Sequence, residues 1–254
     1  MQALKIKKIL VSQPAPEGDK SPFHELAEKN NLKIDFRPFI KIEGVSAKEF
    51  RQTRIDVLQH TAILFISKTA IDHFFKICEE MRITVPDSMK YFCVTESIAF
   101  YLQKYIVYRK RKIFHGKNVL TDLSDVIQKN KEDKFLVPLP DTHKPEITAT
   151  LDKFKINYSK AILYRTVSSN LDDIKNTDYD VMVFYSPAEI KSLLENFPEF
   201  QQNETKIASF GVATAKAIVD AGLRLDIQAP LPDFPSMTMA LEHYIKEFNK
   251  SAKK

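Results

Sequence analysis

Apolar and polar positions along this chain fall into a pattern that is written twice. Ile63-Leu64-Phe65-Ile66-Ser67 is a short apolar run closed by a hydroxyl, and Ala70 to Met81 after it has the spacing of a helix. Met182-Val183-Phe184-Tyr185-Ser186, followed by Ala188 to Phe197, repeats that text. A second strand-to-helix passage trails each copy: Tyr91-Phe92-Cys93-Val94-Thr95 leading to Ile98 and Ala99, then Ile207-Ala208-Ser209-Phe210-Gly211 leading to Val212, Ala213 and Thr214. Reuse of the same junctions predicts an α/β protein of two similar lobes with a cleft between them.

The remaining elements extend the pattern. Lys8 to Ser12 reads as a buried first strand, followed by the polar loop Gln13 to Asp19. Ser21 then caps a helix with Pro22 in its first turn, running from Phe23 to Asn30. Leu32 to Phe36 alternates as a half-buried strand and Pro38 to Ile42 continues extended. A matching passage has Phe135 to Pro138 as strand, Pro140 to Lys144 as loop and Pro145 to Phe154 as helix, with Ile156 to Tyr158 and Ala161 to Tyr164 as extended pieces. Ile106 to Tyr108 reads as a further strand. After the proline-rich Ala229 to Pro235, Ser236 caps a closing helix from Met237 to about Phe248, and Ser251 to Lys254 is a frayed end. Strands alternating with helices predict parallel sheets. Two ways of cutting the chain fit equally: a tandem break near Lys131, or an inserted lobe entered and left through Phe36 to Ile42 and Ala161 to Val167.

Composition narrows the function. The chain has 254 residues, room for two cores, with 44% hydrophobic and 28% charged residues and a net charge of +5. That mild positive charge suits an acidic ligand without demanding one. The two cysteines, Cys78 and Cys93, lie in apolar surroundings without metal-ligand spacing, as small buried hydrophobes in a reducing compartment. The six histidines fall in no ligand spacing, so no metal site is expected. There is no Walker A sequence and no dinucleotide fingerprint, and no apolar run long enough for a signal peptide or a membrane span. A cytoplasmic location is expected.

Several residues can carry chemistry. Ser67 and Ser186 stand where helices begin, so each either caps its helix or helps hold an anion there, since unpaired N–H groups and the helix dipole favour negative charge. Thr214 has the same two readings, and Gly211 serves a tight junction or close helix packing. Tyr164 closes an apolar strand; its protonated hydroxyl is a donor if it faces a cleft. The basic run Arg109-Lys110-Arg111-Lys112, interleaved with Tyr105, Tyr108 and Phe114, is read as a solvated connection before nucleic-acid contact.

Val183-Phe184-Tyr185-Ser186-Pro187, then Ala208-Ser209-Phe210-Gly211-Val212-Ala213-Thr214-Ala215, with Gly222 after the helix, resembles the C-terminal signature of the uroporphyrinogen-III synthase family. Pro235-Ser236-Met237-Thr238-Met239-Ala240-Leu241 is similar to that family's closing motif, and Ile162-Leu163-Tyr164-Arg165-Thr166 to its Val-Tyr-x-Thr segment. The first copy departs from the pattern, with Lys68 for the usual proline, Thr95 for the junction glycine and Ile98 for the helix threonine.

The resemblance implies two flavodoxin-like or Rossmann-like lobes joined by a two-stranded linker, with residues 1–41 and 167–254 forming one and residues 42–166 inserted as the other. It implies a monomer that needs no cofactor, binding neither nucleic acid nor membrane, that cyclises the linear tetrapyrrole hydroxymethylbilane with loss of water and inversion of its last ring. In that reading Tyr164 is the proton donor, and Ser67, Lys68, Ser186, Gly211 and Thr214 contact the substrate. The competing reading is a non-enzymatic binding protein or sensor for an anionic metabolite.

Overall fold

The computed structural model describes residues 5–18, 20–175 and 177–251. In chain order its elements are β1 (Lys8–Val11), α1 (Pro22–Asn30), β2 (Lys33–Phe36), β3 (Ile40–Gly44), α2 (Ala47–Gln52), β4 (Ala62–Phe65), α3 (Lys68–Glu80), β5 (Lys90–Cys93), α4 (Glu96–Tyr101), β6 (Ile113–His115), α5 (Ser124–Lys129), β7 (Lys134–Pro140), α6 (Pro145–Phe154), β8 (Asn157–Ser168), β9 (Val181–Phe184), α7 (Pro187–Asn196), β10 (Lys206–Phe210), α8 (Val212–Asp220), β11 (Ile227–Ala229) and α9 (Met237–Ser251). They form two compact units, one of the described residues up to Lys41 together with those from Val167 onward, the other of Ile42–Thr166.

The discontinuous unit holds a five-stranded sheet in the order β11-β10-β9-β1-β2. Its pairings are parallel, with Ile9 between Ile34 on one side and Val181 on the other. Side chains leave a strand to alternate faces, so the central strand β9, covered on both, is apolar throughout. Ile9, Val11, Val181 and Val183 pack under α1 and α9 with Leu26, Leu241 and Ile245. Leu10, Met182, Phe184 and Ile207 pack on the opposite face with Ile190, Leu193 and Ile218 of α7 and α8.

The inserted unit holds a six-stranded sheet in the order β3-β8-β7-β4-β5-β6. Its two faces divide in the same way. Ile63, Phe65, Tyr91 and Cys93 meet Phe74 and Ile77 of α3, whereas Ala62, Leu64, Phe92 and Phe135 meet Ile127, Leu151 and Phe154 of α5 and α6. Strands β3 and β8, neighbours at the sheet edge, carry the chain across the division between units.

The α/β architecture with largely parallel sheets flanked by helices therefore stands; among the described strands only the β3–β8 edge is antiparallel, with Val45 N–H on Leu163 C=O and Ser169 N–H on Phe39 C=O. Helix α6 has the bounds that proline at its first position predicts, and Ser21 caps α1 by accepting from Phe23 N–H at 3.3 Å. Two readings need correction. The extended pieces on either side of Ser159 are one strand, β8. Ile106 to Tyr108 is not a strand: Ile106 N–H is drawn back to Leu102 C=O at 3.0 Å, and the pairing partner of β5 is Ile113–His115. The basic run is thus a turn leading into β6, with Arg109 paired to Asp87 at 2.8 Å. Of the frayed end, Ala252 to Lys254 lie outside the described residues. Cys78 and Cys93 are free and buried, and burial pushes both thiols up to about 12. No helix among the described residues is long and apolar enough to cross a membrane.

Candidate active site

In an open parallel sheet, ligands bind beyond the carboxyl ends of the strands, where the chain changes direction across the sheet. Both sheets have such a point. In the inserted unit β4 leads to β5 and β6 on one side, and β7 to β8 on the other. The point therefore falls between β4 and β7, just past Phe65. Ser67 caps α3 there, with extended backbone and its Oγ accepting from Ala70 N–H at 3.0 Å. The same Oγ shares a 3.2 Å hydrogen bond with the Tyr164 hydroxyl from β8. Two residues singled out separately from the sequence are therefore in direct contact.

Tyr164 is almost fully buried, at 5% exposure. Burial raises its phenol pKa, and the Ser67 hydrogen bond opposes this in part. The hydroxyl thus stays protonated at neutral pH. Lys68 is exposed at the first position of α3, its Nζ 5.5 Å from the Tyr101 ring centre.

In the discontinuous unit the chain runs from β1 to β2 on one side and from β9 through β10 to β11 on the other. Its direction change falls between β1 and β9, and a carboxylate from the chain itself occupies it. Glu189, only 3% exposed, accepts from Ser12 Oγ at 2.7 Å, Tyr185 N–H at 2.6 Å and Ser186 N–H at 3.1 Å, all at one oxygen. Burial holds the Glu189 carboxyl above the ordinary carboxylate value, against the lowering effect of these donors. Ser186 precedes α7 with extended backbone and forms a capping box with Glu189, its buried side chain facing Glu189 N–H while the Glu189 carboxylate accepts from Ser186 N–H. Pro187 follows and has no N–H to offer.

The next junction is open. Gly211 precedes α8 at φ 90°, ψ 149° and has no side chain to cap the first turn. A Cβ there would meet nothing within 4 Å. Backbone conformation, rather than close helix packing, therefore requires glycine. Thr214 lies buried in that first turn. Its counterpart junction is closed differently: Thr95 has extended backbone and its Oγ takes up Ile98 N–H at 3.3 Å. Gly211→Ala should lower stability by about 1–3 kcal/mol through backbone strain alone, a loss to be measured by urea unfolding.

Sequence reasoning missed Glu189, Ser12 and His73. Ser186-x-x-Glu189 has the spacing of a helix capping box, a signal that was available. His73 carried none; its ring stacks on Tyr164 with centres 5.0 Å apart. Among the described residues no group of three or more His, Cys, Asp or Glu side chains is placed to hold a metal ion.

These features define an α/β protein of two units, each a largely parallel sheet with helix amino ends and hydroxyls at its carboxyl edge. The chain belongs to the uroporphyrinogen-III synthase HemD family, whose profile matches residues 21–239. Among solved structures it is similar to uroporphyrinogen-III synthetase from Helicobacter pylori, at 17% identity over 95% of this chain and 100% of that one, with a TM-score of 0.56. It also matches a mutant uroporphyrinogen III synthase from Thermus thermophilus, at 14% identity over 96% of this chain and 99% of that one, with a TM-score of 0.49. A search of curated proteins finds no match. Family membership favours an enzyme of tetrapyrrole biosynthesis over a non-enzymatic sensor.

Proposed function

We propose that this chain closes hydroxymethylbilane to uroporphyrinogen III, a cyclising lyase reaction in which water leaves and the last ring is inverted. The observation that carries the chemical assignment is the Tyr164–Ser67 contact at the direction change of the inserted sheet. Departure of the substrate hydroxyl needs a proton on its oxygen, and the neutral Tyr164 phenol is a donor for it. The pyrrole nitrogen supplies the electron pair that breaks the carbon–oxygen bond, so the phenol assists a departure already favoured. Ring closure through a spiro intermediate then depends on holding one fold of a flexible substrate, which is a positioning task.

The substrate's eight carboxylates set the binding requirement. The uncapped first turn of α8 at Gly211 and Thr214, the Ser186 hydroxyl at the start of α7, and the α3 amino end with Ser67 and Lys68 are the proposed contacts. The enzyme acts as a cytoplasmic monomer without metal or organic cofactor, on a small molecule rather than on nucleic acid or membrane. A coupled assay that generates hydroxymethylbilane and separates type III from type I product by chromatography tests this. Type III product rising with enzyme concentration is expected; type I product alone at every concentration overturns it.

A further inference from the structure

His73 lies on α3, within the inserted unit, and has no place in the chemistry above. Its imidazole lies nearly parallel to the Tyr164 ring, 16° from coplanar with centres 5.0 Å apart. Strand β3 leaves no room on another side of the ring: a Cβ added to Gly44 would fall 2.8 Å from His73 Nδ1 and 3.1 Å from Cε1. Gly44 is not among the glycines with positive φ, so absence of a side chain is what this site uses. The imidazole is therefore bounded by β3 backbone and by the Tyr164 face.

Its electrostatic surroundings fit a neutral ring. Burial lowers the His73 pKa, the Lys76 charge lowers it further, and Asp72 opposes them. The Asp72 carboxylate is already engaged by Tyr101 at 2.9 Å and Lys104 at 3.1 Å, as well as by Tyr105. His73 has no hydrogen-bond or ion-pair partner among the described residues. Its one specific engagement is thus the flat contact with Tyr164.

We propose that His73 is a positioning residue for Tyr164: the imidazole, backed by Gly44, fixes the phenol ring so that its hydroxyl stays on Ser67 Oγ. This rests on the reading of Tyr164 as proton donor. A flat aromatic ring is what the role requires, so phenylalanine should replace histidine and alanine should not. Gly44→Ala should act like His73→Ala, because its Cβ would crowd His73 Nδ1 and Cε1 and displace the ring.

The test combines kinetics with fluorine NMR of protein labelled with 3-fluorotyrosine, the Tyr164 signal being assigned by its loss in Tyr164→Phe. His73→Ala should lower kcat about tenfold, KM staying within twofold, and should shift the Tyr164 signal. His73→Phe should restore kcat to within about threefold. In the Tyr164→Phe background His73→Ala should cause no further loss. An unmoved Tyr164 signal in His73→Ala overturns the proposal, as does a His73→Phe protein as slow as His73→Ala with unchanged melting. Near-normal turnover of Tyr164→Phe instead removes the donor reading, and the fluorine shift still reports whether His73 orders the ring.

Discussion

Glu189→Ala is expected to lower stability by about 3 kcal/mol or more. The substitution leaves the Ser12 hydroxyl and the N–H groups of Tyr185 and Ser186 without their acceptor. Each buried donor so abandoned costs about 1–3 kcal/mol, reduced where water can enter. The damage should concentrate where β1 and β9 end, since this one carboxylate joins both strand ends to α7. Glu189→Gln should be milder, because its amide oxygen can still accept. The carboxyl also carries a pH signature. Its folded-state pKa lies above the unfolded value, so between the two the native protein holds a proton that the unfolded chain has released. The Glu189 contribution to stability therefore declines as pH rises through that window, and the decline should be absent from Glu189→Gln. Urea unfolding from about pH 4 to 8 measures both effects.

Tyr164→Phe should reduce kcat by about 10- to 100-fold, near the lower end of what a positioned proton donor supplies. The electron push from the substrate nitrogen keeps the loss below the larger values. Stability should change by less than about 1 kcal/mol, since the one hydrogen bond removed is to Ser67, which keeps its bond to Ala70 N–H. KM should stay within about twofold because the phenol acts at the leaving oxygen rather than on carboxylates. Steady-state kinetics in the coupled assay, with thermal melting as control, checks the assignment. Near-normal turnover with unchanged melting would remove Tyr164 from the chemistry.

Much of the architecture was legible because the central strands carry no polar residue. Ala62–Phe65 and Val181–Phe184 are buried on both faces, and each is followed by a serine that ends the strand and opens a helix. The edges were harder. Strand β6 is three residues beside a charged run, whereas Ile106 to Tyr108 has strand-like composition but a backbone committed to a turn. Local propensity cannot reveal that commitment.

The candidate site divides along the same line. Ser67, Ser186 and Gly211 stand at junctions, where sequence order and three-dimensional position coincide. Glu189 reads as an ordinary acid in a first turn; its burial depends on Ser12, 177 positions away. His73 is one polar residue on an amphipathic helix until β8 brings Tyr164 against it. Thr95 shows the reverse: an unpromising departure from the glycine pattern becomes intelligible once its extended backbone and self-made cap are seen.

The pairing of β1 with β9 also bears on how the protein is made. On the ribosome β1 and β2 emerge before the inserted unit, yet the neighbour that β1 needs begins only at Val181. At about 5–20 residues per second, that leaves the first strands waiting for several seconds to about half a minute. Meanwhile all of Ile42–Thr166 becomes available and can close its own sheet. The inserted unit, complete before β9 is made, should therefore mature first. Ile9, Leu10 and Val11 would spend that interval without β9, making the early strands the segment most dependent on protection during synthesis.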